Sequence, residues 1–222
     1  MSNILVCSAT KGKKEDTALF KSSKKLLDQY FLHFKFKENN SEPLQSYYNK
    51  CIQEAKNYKY DFLVLIHDDV YINCSDLWDR IQNNCVYTVN GLAGSRGCNL
   101  KEPALWHLMS DRKDHRGCVA HGSEDQYMYT SFGPLPSRAL LIDGLFICIN
   151  IKQLPDEVRF DETCPSKFHF YDLDICLTCN EHKVSVGVVD IPVIHQSPGL
   201  DKPDETFYNG QRWFLNKWKN KD

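Results

Sequence analysis

The sequence predicts an α/β fold, a single domain with a mostly parallel central sheet flanked by helices. Three observations predict it. The run Phe62-Leu63-Val64-Leu65-Ile66 is apolar throughout and passes directly into His67-Asp68-Asp69. Such a run reads as a strand buried on both faces, as inside a parallel sheet. The segments before it alternate strand, helix, strand, helix, an order that requires parallel strands joined by right-handed crossovers. The chain has 222 residues, 42% of them hydrophobic, which is enough for one substantial core.

Residues 3–9 read as the first strand, followed by Ser8-Ala9-Thr10 and the basic turn Lys11-Gly12-Lys13-Lys14. Leu19, Leu26, Leu27, Tyr30 and Phe31 give residues 16–31 a helical pattern. His33-Phe34-Lys35-Phe36-Lys37 alternates like a strand. Ser41 offers a helix cap and Pro43 suits a first turn, with Leu44, Tyr48, Cys51, Ile52 and Ala55 at helical spacing behind them. Val86–Ala93 reads as a further strand. Residues 97–137 lose periodicity and hold Trp106, His107, His115 and His121. They read as a long loop region, and loops of that length are usually functional or mobile.

Ala139–Ile151 resumes as a strand, interrupted by Asp143-Gly144. After Phe168-His169-Phe170, the residues Leu173, Cys176 and Leu177 fall on one helical face. Tyr171, Asp172 and Asp174 therefore stand at a helix start, where the dipole favours carboxylates. Val184–Ile194 reads as the last strand and leads into His195-Gln196-Ser197-Pro198-Gly199. Residues 204–222 close the chain as a helix, with Trp213, Phe214 and Trp218 forming an apolar stripe.

Composition narrows the function. A net charge of −2 argues against a general nucleic-acid partner, which calls for a basic surplus. The longest apolar stretches, 62–66 and 139–142, are too short to span a bilayer. Met-Ser-Asn-Ile-Leu-Val at the start reads as a strand rather than a signal peptide. The ten cysteines have no regular spacing, which fits reduced thiols in a cytoplasmic protein. Cys176-Leu-Thr-Cys179 is a lone pair, with only Cys118 and His121 to complete a zinc site. Neither a glycine-rich dinucleotide fingerprint nor a P-loop follows the first strand.

Acids at the end of a buried parallel strand lie at the carboxyl edge of the sheet, where open α/β sheets bind ligands. Asp68 and Asp69 repel each other there, and a divalent cation carrying phosphates relieves the repulsion. The same pair would also serve as a loop start and helix cap. Asp172 and Asp174 would also serve as plain helix-start acids, and His195 as a turn residue.

The order of these features resembles the GT-A (Rossmann-like) glycosyltransferases. The features are an acid pair after β-α-β-α-β, Asp143-Gly144 on a strand, an acidic helix start, and His195 after a last strand. Within that group the chain is similar to the family-2-like enzymes, and most to the glycosyltransferase-like domain typified by a streptomycin-biosynthesis protein. The resemblance spans roughly residues 3–200. It implies metal-dependent, inverting transfer of one sugar from a nucleoside diphosphate sugar to a saccharide or other hydroxyl acceptor. Asp69 would ligate Mn²⁺ or Mg²⁺, His195 would be a second ligand, and Asp68 would contact the ribose or a metal-bound water. Ser8, Ala9 and Thr10 would help hold the nucleotide, and Asp143 and Gly144 would lie beside the donor sugar or acceptor. Asp172 matches the general base. His67, His169, Tyr171, Asp174 and Trp106 are candidates for acceptor contacts or for support of the site, with 97–137 on the acceptor side.

These roles agree with the chemistry. Diphosphate leaves readily only when its charge is neutralised, and the attacking hydroxyl must lose a proton to a nearby carboxylate. Two positions depart from the family pattern. His67 stands where an acid begins the metal motif, and Tyr171 stands where an acid precedes the base. An arginine often found after that helix start is missing, with Thr178 nearby, and Gln211-Arg212-Trp213 lacks the spacing of the processive synthases. The departures keep a non-catalytic sugar-nucleotide or glycan-binding module as an alternative. A nucleotidyltransferase ranks lower, because Lys11-Gly12-Lys13-Lys14 only faintly matches its basic glycine-rich loop. Oligomeric state is left open.

Overall fold

A computed structural model describes residues 2–26, 28–197 and 203–219. Leu27 of the first helical pattern, Pro198 and Gly199 after His195, and residues 220–222 of the expected C-terminal helix lie outside the described residues.

The chain follows the expected β-α-β-α-β order through Ile66, and the strand and helix after it lie outside that expectation. It runs β1 (Ile4–Ala9), α1 (Ala18–Ser23), β2 (Leu32–Lys37), α2 (Leu44–Asn57), β3 (Phe62–Ile66), β4 (Val70–Ile72) and α3 (Leu77–Asn84). The second half holds β5 (Val89–Gly91), β6 (Ala93–Ser95), α4 (Trp106–Met109), β7 (His115–Gly122), β8 (Tyr127–Gly133), β9 (Ser137–Arg138), β10 (Leu141–Ile142) and β11 (Phe146–Asn150). It ends with α5 (Tyr171–Glu181), β12 (Val186–Val188), β13 (Val193–His195) and α6 (Glu205–Trp218).

The main sheet has the order β2-β1-β3-β11-β5-β12-β9. β1 pairs in parallel with β2 and with β3, as the crossover order requires, and β3 is buried along its whole length. β12 also runs parallel to β5, whereas β11 is antiparallel to both β3 and β5. This reversal places the site. Phe146, at the start of β11, pairs with Ile66, at the end of β3. The Asp143-Gly144 turn before β11 therefore reaches the carboxyl edge of β3; a parallel β11 would carry it to the opposite edge.

A second sheet, β10-β6-β7-β13-β4 with β8 hairpinned onto β7, stands at that edge. The 97–137 stretch, expected as a loop, supplies α4 and the β7–β8 hairpin. Its strands escape periodicity because β8 is exposed along most of its length and carries no apolar-in, polar-out alternation. Expected single strands also divide. Val86–Ala93 becomes the neighbouring β5 and β6, and Val184–Ile194 becomes β12 and β13, which belong to different sheets.

The helices differ in detail. Residues 16–31 form only α1 flanked by short 3-10 turns, and Thr17 caps α1 by accepting from the Phe20 amide at 3.1 Å. Pro43 occupies the cap position of α2 without a side-chain bond, so Ser41 does not cap it. Asp204 caps α6 through the Phe207 amide at 2.9 Å. All ten cysteines are free thiols. Cys176 is buried on α5, where its sulfur accepts from the Ile142 amide at 3.4 Å, so it packs that helix against β10.

Candidate active site

β3 ends at Ile66, and the next three residues turn across the sheet edge. The His67 amide donates to the Leu145 carbonyl at 3.0 Å, tying this turn to the start of β11. β13 runs antiparallel to β4, which pairs His195 with Val70 and brings its ring beside Asp69. The Gln196 amide donates to the Asp69 carbonyl at 2.9 Å and fixes the approach.

One potential ligand atom from each of His67, Asp69 and His195 lies within 4.8 Å of the others. Nε2 of His195 sits 3.5 Å from Oδ1 of Asp69. That is an ion-pair contact but long for a hydrogen bond, and this buried oxygen has no hydrogen-bond partner. Leaving a buried carboxylate oxygen unsatisfied is costly, and a bound cation would satisfy it. Two imidazoles and a carboxylate form a donor set that divalent first-row metals accept. The residues thus fit the metal that the resemblance implies.

The titration of these groups follows their surroundings. Burial pulls His67 below its ordinary value, opposed by Asp69 and helped by His195. Burial also works against charge on His195, but the Asp69 carboxylate outweighs it and raises the group. Burial favours the neutral form of Asp69 as well, and the two histidines more than reverse it.

The second half of the site comes from α5. Phe170, just before the helix, takes a left-handed φ of 68°, a conformation that costs on the order of 1–2 kcal/mol without glycine. Its ring is locked against Phe207 and Phe214 of α6 at 5.1 and 5.9 Å. Gly210 permits the approach, since a Cβ there would lie 2.8 Å from the Phe170 ring. The left-handed step turns the chain so that α5 begins beside Gly144. There the Gly144 amide donates to Oδ2 of Asp172 at 3.0 Å. Burial, and then the charge of Asp143, push the Asp172 carboxyl up to about 7.

Asp143 stands between the two halves. Its Oδ1 accepts from the Leu145 amide at 3.0 Å, and its charge reaches His67, His195 and Asp172. Gly144 is there for space rather than for φ. A Cβ would overlap the Tyr171 hydroxyl and meet Cβ of Asp172 at 3.1 Å. Gly144→Ala is therefore expected to push Tyr171 and Asp172 aside. It should cost about 1–3 kcal/mol of stability, as overpacking does, checked by thermal melts.

Ser8 and Ala9 end β1 and Thr10 follows them on the same carboxyl edge. The Ser8 hydroxyl is buried without a hydrogen-bond partner, while its carbonyl accepts from Tyr47 at 3.3 Å. Asp68 is partly exposed, and its carbonyl accepts from the Leu19 amide of α1 at 3.1 Å. Tyr171 is buried and reaches His67.

The remaining candidates lie apart. Asp174 follows Asp172 by two residues, about 200° around the helix, and so faces α6. It is 1% exposed and bonds Trp218 at 2.8 Å and Lys217 at 3.0 Å, anchoring the C-terminal helix. Trp106 is buried against His107, His115 and Phe132, so its ring is a packing element rather than an open stacking surface. His169 packs edge-on against Phe207 of α6 at 5.2 Å. A cavity of about 320 Å³ lined by Arg96, Arg138, Asn180 and Ser185 contains none of the site residues.

Sequence reading alone did not place two histidines in the site. β13 also pairs in parallel with β7, which sets His121 beside His195 with ring centroids 5.9 Å apart. His121 and His107 both feel the Asp143 charge. Both residues stand in the 97–137 stretch, but no spacing ties His121 to His195, because the link is a strand pairing across 74 residues of sequence, and His107 lies on α4.

Residues 29–218 match the model of a family described as glycosyltransferase like. The chain belongs to this glycosyltransferase-like family. No curated protein matches it significantly. Among solved structures, A197 from STIV is 11% identical, with 91% of this chain and 98% of that one covered and a TM-score of 0.48. A glycosyltransferase involved in the glycosylation of the major capsid of PBCV-1 is 11% identical, covering 67% of this chain and 60% of that one, with a TM-score of 0.29. CMP:2-keto-3-deoxy-manno-octonic acid synthetase complexed with CTP is 10% identical over 97% of this chain and all of its own, with a TM-score of 0.38. These likenesses are distant, and the family match carries the assignment. Among the described residues of this glycosyltransferase-like chain, no helix is long and apolar enough to cross a membrane.

Proposed function

We propose that the chain transfers one sugar, with inversion, from a nucleoside diphosphate sugar to a hydroxyl acceptor, with Mn²⁺ as its cofactor. The observation that carries this reading is the meeting of two groups across the Asp143-Gly144 turn. On one side is the cluster His67, Asp69 and His195; on the other is a carboxyl raised to about 7, Asp172.

His67, Asp69 and His195 would hold the ion, which when bound offsets the negative charge of the leaving diphosphate. Ser8, Ala9, Thr10 and Asp68 line the edge where the nucleotide would lie. Asp172 takes the proton of the acceptor hydroxyl. A base works best when its pKa lies near the working pH, and burial has moved this carboxyl there. The Gly144 amide holds the Asp172 carboxyl in place for that proton transfer. The Asp143 charge favours the positive character that grows on the sugar in an oxocarbenium-like transition state. A base set across the turn from the metal-holding cluster suits a single displacement, hence inversion. The β7–β8 hairpin and α4 would form much of the acceptor side. The order of motifs also supports a likeness to the streptomycin-biosynthesis type.

The test is incubation with UDP- and GDP-sugars and Mn²⁺. Slow hydrolysis of one donor is expected, with the released sugar inverted at its anomeric carbon by proton NMR. Tight Mn²⁺-dependent donor binding with no turnover at all would favour the binding-module reading instead.

A further inference from the structure

The two positions that depart from the family pattern touch each other. Nε2 of His67 lies 2.6 Å from the Tyr171 hydroxyl, and that hydroxyl lies 3.2 Å from the Gly144 carbonyl. A carbonyl oxygen only accepts, so the one arrangement in which both contacts are hydrogen bonds has the hydroxyl donate to Gly144. Toward His67 the hydroxyl oxygen is then an acceptor, and Nε2 must carry the hydrogen. A neutral imidazole has one N–H and one lone pair, so the lone pair falls on Nδ1.

We propose that Tyr171 is a positioning residue that locks His67 in the Nε2–H tautomer, so that Nδ1 is the nitrogen offered to a divalent metal. The inference rests on the metal role given to His67 above. Metal-bound histidines generally hold their other ring nitrogen in such a bond, and loss of the partner typically costs 10–100-fold in affinity. The same hydroxyl bonds the carbonyl of Gly144, whose amide holds Asp172. Tyr171 thus joins the metal-holding turn and the base through one residue. It is buried, with its ring against Tyr48 and Phe160 at 5.5 and 6.1 Å, and phenylalanine keeps those contacts.

Two measurements test this. In metal-free, ¹⁵N-histidine-labelled wild-type protein at neutral pH, long-range ¹H–¹⁵N spectra should show His67 protonated at Nε2; a His67 protonated at Nδ1 overturns the proposal. Titration with Mn²⁺ alone should then show Tyr171→Phe binding about 10–100-fold more weakly than wild type, with the tautomer preference of His67 lost. Unchanged Mn²⁺ affinity in a folded Tyr171→Phe protein overturns it. Wild-type protein that binds no Mn²⁺ overturns both this proposal and the metal role beneath it. Loss of Mn²⁺ affinity in the variant, with no sugar transfer by wild type, supports this proposal and rejects only the transferase reading.

Discussion

Asp172→Asn is expected to lower sugar transfer by about 10²–10⁴-fold, the usual contribution of a general base, while making the protein more stable above pH 7. The carboxyl is pushed up to about 7 because burial disfavours its charge and Asp143 adds repulsion. In the unfolded chain an aspartate titrates near its ordinary value, about 3.9. Between about pH 4 and 7 the folded chain therefore keeps a proton that the unfolded chain has released. Stability falls as pH rises through that window, and above it the full cost of the buried carboxylate is present. Below pH 4 both states are protonated and the cost vanishes. Asparagine carries no charge and can still accept from the Gly144 amide. Thermal melts should show a larger gain over wild type at pH 8 than at pH 5, with Mn²⁺-dependent nucleotide binding unchanged. In wild type, transfer should fall about tenfold per pH unit below 7 as the base is protonated. Retained turnover in Asp172→Asn, or a variant less stable than wild type at pH 8, would remove Asp172 from the role of base.

Asp69→Ala is expected to abolish metal-dependent donor binding, by at least the 100-fold that marks the upper range for loss of a mere supporting partner. Its buried Oδ1 has no hydrogen-bond partner of its own, and both neighbouring histidines hold the carboxyl in its charged form. The resulting lowering of its pKa means the charged carboxylate stabilises the ligand-free fold at neutral pH, so the variant should melt somewhat below wild type without metal. The larger difference should appear on adding Mn²⁺. A ligand at 100 times its Kd stabilises by about 2.7 kcal/mol, so wild type should show a clear upward melting shift that the variant lacks. Calorimetry with UDP or GDP gives the direct reading. Unchanged Mn²⁺-dependent nucleotide binding in Asp69→Ala would defeat the metal assignment.

Local sequence is a good guide where one element buries both faces or begins with a distinctive residue. The apolar run 62–66 is a strand with every residue buried, and the acids at 172 and 174 do open a helix. Periodicity says less where a segment is exposed or short. β8 is mostly exposed and α1 is only six residues, and the patterns there point to a loop and to a longer helix. Spacing cannot separate Asp172 from Asp174 by role. Their 200° separation around the helix sends one toward Gly144 and the other into the anchor of Lys217 and Trp218.

The sequence by itself determined the β-α-β-α-β order, the acid pair at the end of β3, and the residue types available for metal and proton chemistry. Strand order and strand direction, which only the tertiary structure decided, determined which of those residues meet. The antiparallel entry of β11 beside β3 carries Asp143-Gly144 to the His67-Asp68-Asp69 edge. The pairing of β13 with β4 and β7 sets His195 between Asp69 and His121. Hydrophobic periodicity records which face of a segment is buried, not which distant segment lies beside it. The contact between His67 and Tyr171, the two positions that looked like departures, therefore became visible only once the chain was folded.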